Sequence, residues 1–239
     1  MTINRPIRAV LCDLDGTLYH QGTLRCLMAL ELCALPLLKR SCRSACCVWR
    51  CLRDFRRIRE ELRTLGEAEG ALAMLQYREA AKKAGVSPDV MQQVVAEWIY
   101  QRPLKYLRFC RHRGIEEFFV SLQRQGIQIG VLSDYPAWDK LKALCLDSKV
   151  SLTLCSTDPE INAFKPHPKG FLHACEIWGI EPEEVLYVGD RPEVDAAGAA
   201  HAGMPCAILG KSRKGRDGLE GFITFDSFKD LQNALIAND

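Results

Sequence analysis

The 239-residue chain has no apolar run long enough to span a bilayer. Its most apolar segment, residues 24–38 (LRCLMALELCALPLL), is 15 residues long, contains Arg25 and Glu31, and is interrupted by Pro36. Net charge is also scarce. With 32 Lys and Arg against 30 Asp and Glu, the formal charge is +2, so no overall field selects nucleic acid or membrane as a partner. No internal repeat or low-complexity linker divides the sequence. Residues 1–15 run from a short polar start into the strand-like IRAVLCD without a cleavage site, which leads us to expect no secretory leader and a cytoplasmic location. The C-x-x-C pairing of structural zinc sites is missing as well. The 12 cysteines are therefore expected to stay reduced and to pack as small apolar side chains. The spacing of Cys42, Cys46, Cys47 and Cys51 suits one or two faces of a helix.

What the chain does have is enough material for a core, with 48% hydrophobic and 26% charged residues. The apolar run of residues 7–12 has strand length and ends at Asp13, followed by the turn residues Gly16 and Thr17. From about residue 24 to 111 the pattern becomes helical, with apolar residues at three and four spacing and no strand signal. Strand signals return at residues 127–133 (IQIGVLS), 151–156 (SLTLCS), 184–190 (EVLYVGD), 205–210 (PCAILG) and 222–225 (FITF). Helical patterns such as IEEFFVSLQRQ, PKGFLHACEIWG and EVDAAGAAHAG separate them. This alternation predicts an α/β parallel sheet covered by helices on both faces, with a site beyond the carboxyl ends of the strands. The expected organisation is an α/β core of residues 1–20 and 113–239, with an all-helical cap of residues 21–112 inserted after the first strand. Charge follows the same division: residues 24–112 carry 17 basic against 9 acidic side chains, while the remainder is acidic.

Four short motifs fall at or just after expected strand ends. In DLDGT, residues 13–17, two carboxylates stand two positions apart, so an extended backbone turns Asp13 and Asp15 to one side and Leu14 to the other. Acids this close repel, and a divalent cation is the usual means of neutralising them. VLSD, residues 131–134, offers the hydroxyl of Ser133. FKPHP, residues 164–168, offers Lys165 before a proline that ends any helix there. VGDRPEVD, residues 188–195, supplies Asp190 directly after a strand and Asp195 about one turn later.

This ordered set resembles the haloacid dehalogenase superfamily, whose signature is DxDx[TV], then Ser or Thr, then Lys, then an acidic GD motif. The position of the insertion is similar to the helical cap of its phosphoglycolate-phosphatase-like branch, and the fold implied is a Rossmann-like core. The resemblance implies a phosphatase in which Asp13 is the nucleophile and Asp15 the general acid and base. Ser133 and Lys165 would bind the phosphoryl group and offset its charge. It further implies Mg2+ held by the Asp13 carboxylate, the Asp15 backbone carbonyl and Asp190, with Asp195 orienting a metal-bound water or Lys165. Thr17 and Asp134 join Ser133 and Lys165 as expected substrate-binding residues, together with Arg102 from the insertion. Asp15 separates phosphate chemistry from the dehalogenase members, leaving a phosphatase acting on a small phosphorylated metabolite or a sugar-phosphate mutase.

Outside the core motifs the sequence offers simpler readings. His20 and His167 border the expected site and are left out of the catalytic set. Trp98, Tyr100, Arg102 and Lys105 come late in the insertion, where they could descend over the core or simply pack within it. Residues 39–63 hold 9 basic and 3 acidic side chains. The functional reading is attraction to an anionic lipid surface or a polyanionic substrate, or a module that binds such a surface or a partner; the reading preferred is a solvated cap face.

Overall fold

The computed structural model describes residues 6–39, 42–66, 70–210 and 221–236. The chain runs β1 (Ala9–Cys12), α1 (Gln21–Lys39), α2 (Cys42–Arg63), α3 (Leu72–Ala84), α4 (Pro88–Val95), a π-helical turn (Ala96–Gln101), α5 (Leu104–Cys110) and α6 (Ile115–Arg124). It continues with β2 (Gln128–Ser133), α7 (Trp138–Ala143), β3 (Leu152–Cys155), α8 (Lys169–Trp178) and β4 (Val185–Gly189). A second π-helical turn (Pro192–Ala196) leads into α9 (Ala197–Ala202), followed by β5 (Cys206–Leu209), β6 (Phe222–Phe225) and α10 (Phe228–Ile236).

The six strands form one parallel sheet in the order β3-β2-β1-β4-β5-β6. All six expected strand segments are present. Strand β1 is buried on both faces, as its unbroken apolar run requires. Side chains alternate across the sheet. Val10 and Cys12 pack with Phe118, Phe119 and Phe228 from α6 and α10. Ala9 and Leu11 face the opposite cluster, with Phe171 and Ala174 of α8 and Ala199 of α9. Each fully buried large side chain of this kind contributes about 1.5–3 kcal/mol. Gly130 in β2 leaves room for an aromatic on that second face: a Cβ there would lie 2.6 Å from the Trp178 ring.

Helices α1 to α5 all fall between β1 and α6, and no strand interrupts them among the described residues. They build a third cluster from Phe55, Leu72, Met91, Val95 and Trp98. Local chemistry sets the ends of these helices. Gly85 closes α3 at φ 66 in the left-handed region. Ser87 accepts the Val90 N–H at 3.3 Å to start α4, with Pro88 in its first turn.

Three local features differ from the sequence reading. Helix α1 continues through Pro36, because an interior proline removes one N–H while the remaining turns of a long helix persist. Helices α7 and α10 are additional elements; at 6 and 9 residues they offer too few turns for a periodic signal. No disulfide occurs among the described residues, and Cys46, Cys47 and Cys51 are free on α2; the Cys42 side chain lies outside them. Among the described residues no helix is long and apolar enough to cross a membrane.

Gly130→Ala would force the Trp178 ring out of its place over the sheet. We expect a loss of about 1–3 kcal/mol, read as a lower midpoint in urea denaturation with a shifted tryptophan emission of the native state.

Candidate active site

The carboxyl ends of β1, β2 and β4 lie side by side, and each delivers one of the sequence motifs. The Asp13 N–H donates to the Val188 carbonyl at 2.8 Å, extending the β1–β4 ladder to the carboxylate itself. Thr17, fully buried, donates its hydroxyl to Asp13 Oδ2 at 3.1 Å. Gly16 sits at φ +112, and a Cβ there would be 2.2 Å from Asp190 Oδ2. Only glycine allows the β1 loop to pass this close to the Asp190 carboxylate. Gly189 plays the matching part on β4, where a Cβ would fall 2.5 Å from the Asp195 side chain.

Lys165 is 3% exposed, and its three ammonium donors have three partners. They are Asp13 Oδ1 at 2.6 Å, Asp195 Oδ1 at 2.8 Å and the Tyr187 hydroxyl at 2.9 Å. Asp195 in turn accepts the backbone N–H groups of Asp190 and Arg191 on its other oxygen, at 3.2 and 3.0 Å. It thus ties Lys165 to the loop that carries Asp190. Burial opposes charge on Lys165, but Asp13 and Asp195 together hold its pKa well above the ordinary value.

Asp15 faces the same cavity as Asp13, while Leu14 is buried in the core behind it. Its carboxylate accepts from Lys140 Nζ at 2.5 Å, from the Tyr19 hydroxyl, and from Ser133 Oγ at 3.4 Å. Ser133 Oγ also accepts the Tyr135 N–H at 3.1 Å. Asp134 is paired rather than free: its carboxylate takes Arg63 at 2.8 Å and the Ser156 hydroxyl at 2.7 Å. Burial would raise the Asp134 pKa, yet Arg63, Lys165 and Arg59 hold it well below the usual carboxylate range.

Oxygens of Asp13, Asp190 and Asp195 lie within 4.8 Å of one another. Asp190 Oδ1 is buried without a hydrogen-bond partner among the described residues. Desolvation, then the charges of Asp13 and Asp195, push the Asp190 pKa up to about 8. Desolvation likewise raises Asp13 to about 6, against the pull of Lys165. With Asp13, Asp15, Asp190 and Asp195 ionised, Lys165 and Lys140 leave two negative charges unmatched. An orphaned oxygen, clustered oxygen donors and an excess of negative charge together fit a hard divalent cation.

These groups line one wall of a cavity of about 890 Å³. The opposite wall comes from α1 and α2 and includes Arg25, Arg53, Arg56, Arg59 and Arg63. This corrects the reading of residues 39–63 as a solvated face at Arg59 and Arg63, whereas Arg50, Arg53, Arg56 and Arg57 are exposed and the side chains of residues 39–44 lie outside the described ones. Arg59 is 3% exposed, its guanidinium 3.9 Å from the Tyr135 ring and 4.3 Å from that of Phe164. It donates to the Asp134 carbonyl at 2.6 Å, and Arg63 donates to the Lys165 carbonyl. The end of α2 is therefore fastened to the loops after β2 and before α8.

Arg102 does not line the cavity. It is turned onto Glu97 and Glu31 and lies over the Trp98 ring at 4.4 Å, because two acids on neighbouring helices claim its guanidinium. Lys105 also pairs with Glu31, at 2.9 Å, and Tyr100 hydrogen-bonds Tyr77 at 3.0 Å, whereas Trp98 reaches the cavity. His20 packs on His112 with ring centroids 3.8 Å apart, and His167 accepts the Lys169 N–H at 3.3 Å; neither lines the cavity. Sequence reasoning missed Tyr19, Lys140, Tyr187, Arg59 and Arg63. Tyr19 had a signal in its i, i+4 spacing from Asp15, and Tyr187 in being the hydroxyl within an otherwise apolar strand. The arginines had a signal only as members of the basic stretch 39–63, and Lys140 had none without the fold.

A family model described as haloacid dehalogenase-like hydrolase matches residues 7–203. A phosphoserine phosphatase of Thermus thermophilus is 28% identical over 144 residues, 59% of this chain and 55% of that protein. A glyceraldehyde 3-phosphate phosphatase of Methanopyrus kandleri is 29% identical over 126 residues, 52% of this chain and 53% of the other. The chain spans about half the length of these curated relatives. Among solved structures, the HAD-hydrolase YfnB of Bacillus subtilis, solved with magnesium bound, superposes with a TM-score of 0.67 at 15% identity, covering 97% of this chain and all (100%) of that one.

The raised acids make cation binding pH-dependent. Unfolded, Asp13 and Asp190 would lose their protons near pH 4; folded and cation-free, they hold them toward about 6 and about 8. Their contribution to cation-free stability is thus full below about pH 4 and lost as pH rises through those values. A divalent cation would replace the protons. We expect the rise in melting temperature on adding Mg2+ to grow from pH 6 to pH 8; a rise that shrinks over this range would contradict the assignment.

Proposed function

Because the chain belongs to the haloacid dehalogenase-like hydrolases, we propose that it is a magnesium-dependent phosphatase that cleaves a small phosphomonoester through an aspartyl-phosphate on Asp13. The observation that carries this reading is the Asp13 carboxylate held by Lys165 at 2.6 Å and by Thr17 at 3.1 Å, beside the orphaned oxygen of Asp190. A carboxylate fixed at both oxygens is oriented in advance for in-line attack, so little reorganisation remains for the reaction step.

In the proposed mechanism Asp13 attacks phosphorus, and Asp15 delivers a proton to the departing oxygen. Asp15 then takes a proton from the water that attacks the aspartyl-phosphate. Lys140 and Tyr19 both hold Asp15 Oδ1, which positions the carboxylate for these two steps and leaves Oδ2, 3.4 Å from Ser133 Oγ, to serve the substrate oxygen. Lys165 and the Ser133 hydroxyl neutralise and orient the transferred group; Asp195 keeps Lys165 in place. Mg2+ held by Asp13, Asp190 and the Asp15 carbonyl would supply the positive charge that lets two anions approach. Residues 21–112 act as a cap over this centre and carry the substrate contacts, and the enzyme works on a phosphorylated metabolite in the cytoplasm. The phosphatase names of the relatives support the substrate class.

Two substitutions test the roles separately, with phosphate release from an aryl phosphate in Mg2+ as the measurement. Asp13→Asn is expected to bring turnover to background. Asp15→Asn should lower kcat by about 10²–10⁴-fold, with acid-trapped phosphoenzyme accumulating because its hydrolysis is slowed. Turnover of Asp13→Asn equal to that of the unmodified protein would refute the mechanism.

A further inference from the structure

The cavity is polarised, with carboxylates on the sheet side and arginines on the helical side. Most of those arginines already have partners. Arg53 pairs with Asp54 at 2.8 Å and Arg63 with Asp134 at 2.8 Å, while Arg59 is spent on Gln76 and the Asp134 carbonyl; on the sheet side, Arg191 pairs with Glu193 at 3.0 Å. Arg25 of α1 and Arg56 of α2 differ. Both line the cavity, and neither has a carboxylate, carbonyl or ring partner among the described residues. They are also like charges that act on one another: burial lowers the Arg56 pKa, Tyr135 opposes this, and Arg25 lowers it further. Both side chains are exposed, and two like charges at the cavity with no counter-ion among the described residues repel one another, a cost that an anionic ligand would remove.

The surroundings narrow the ligand further. The same cavity is lined by the apolar side chains Leu24, Met28, Leu52, Trp98 and Ile99. Arg56 stands seven residues before Arg63 on the same helix, a separation of about 10 Å along the axis, and Arg63 touches the loop that bears Lys165. The cavity of about 890 Å³ is also far larger than a phosphate group needs.

We propose that Arg25 and Arg56 form an anion subsite, and that the substrate is a phosphomonoester carrying a second phosphate or carboxylate beyond an apolar spacer. The proposal rests on the phosphatase reading above and adds the substrate class. The phosphoryl group to be cleaved meets Asp13, the spacer lies along Leu52 and Trp98, and the second anion takes a guanidinium fork, whose planar donors match phosphate and carboxylate alike.

The test measures kcat/KM for uncharged alkyl phosphates, ω-carboxyalkyl phosphates and alkanediol bisphosphates of matched and increasing chain length, with an aryl phosphate as reference. The charged series should be preferred over the uncharged one by about tenfold or more, carried mainly by KM. The preference should peak at an intermediate or long spacer. In Arg56→Gln the ratio should collapse towards one, and Arg56→Lys, which keeps the charge, should retain most of it. Preference for carboxylate or for bisphosphate would each support the subsite and say which anion it holds. A ratio near one in the unmodified enzyme, or a ratio unaltered in Arg56→Gln, would overturn it while aryl phosphate hydrolysis left the phosphatase reading standing. Absence of hydrolysis across every series and the reference would overturn both.

Discussion

The buried ammonium of Lys165 holds the site together. Asp13, Asp190 and Asp195 are brought within 4.8 Å of one another at the ends of adjacent strands and the turn that follows β4. Without a central cation their mutual repulsion and desolvation would favour protonation or displacement of the loops. Lys165 meets Asp13, Asp195 and Tyr187 with its three donors, and Asp195 passes the constraint to the backbone of Asp190 and Arg191. Because every donor is used, removing one partner would leave a buried charge uncompensated, a loss of about 3–5 kcal/mol in comparable networks. The lysine does not finish the neutralisation. The orphaned Asp190 oxygen and the raised pKa values of Asp13 and Asp190 are the remainder that a divalent cation would match.

The close packing of that centre depends on two glycines. At Gly16 and Gly189 a single added carbon would fall 2.2 Å from Asp190 and 2.5 Å from Asp195. The acids can gather only because these backbones present no side chain to them. Around the centre, helix α2 contributes more than a cover. Arg59 and Arg63 reach the Asp134 and Lys165 carbonyls, so the helical insertion is hydrogen-bonded to the very loops that carry the site. About one turn before Arg59 on the same helix, Arg56 lines the cavity with no hydrogen-bond or ion-pair partner among the described residues.

The sheet was legible because a parallel strand buried on both faces leaves an unbroken apolar run, and residues 7–12 and 184–190 show this directly. The segments around α7 and α10 were less legible, being too short for helical periodicity to emerge. At the site, Asp13, Asp15, Ser133, Lys165 and Asp190 could be singled out because each stands at or just beyond a strand end, or in a motif of fixed order. Arg102 illustrates the opposite case. A basic residue late in a helical insertion offers a plausible ligand contact, but Glu31 lies 71 residues away in sequence and takes its guanidinium. Glu97, five residues earlier, also accepts from Arg102, but a competitor as distant as Glu31 leaves no local trace.

Sequence by itself determined the elements, the order of the acidic motifs and the glycines that let them approach, since strand patterning, turn chemistry and spacing are properties of short segments. Only the tertiary structure decided which charges meet. Lys140 opposite Asp15, Lys165 among three acceptors, and Arg59 and Arg63 on the loops are all contacts between segments far apart in the chain. Electrostatic energy depends on distance and desolvation in space, and neither is encoded in the separation of residues along the sequence.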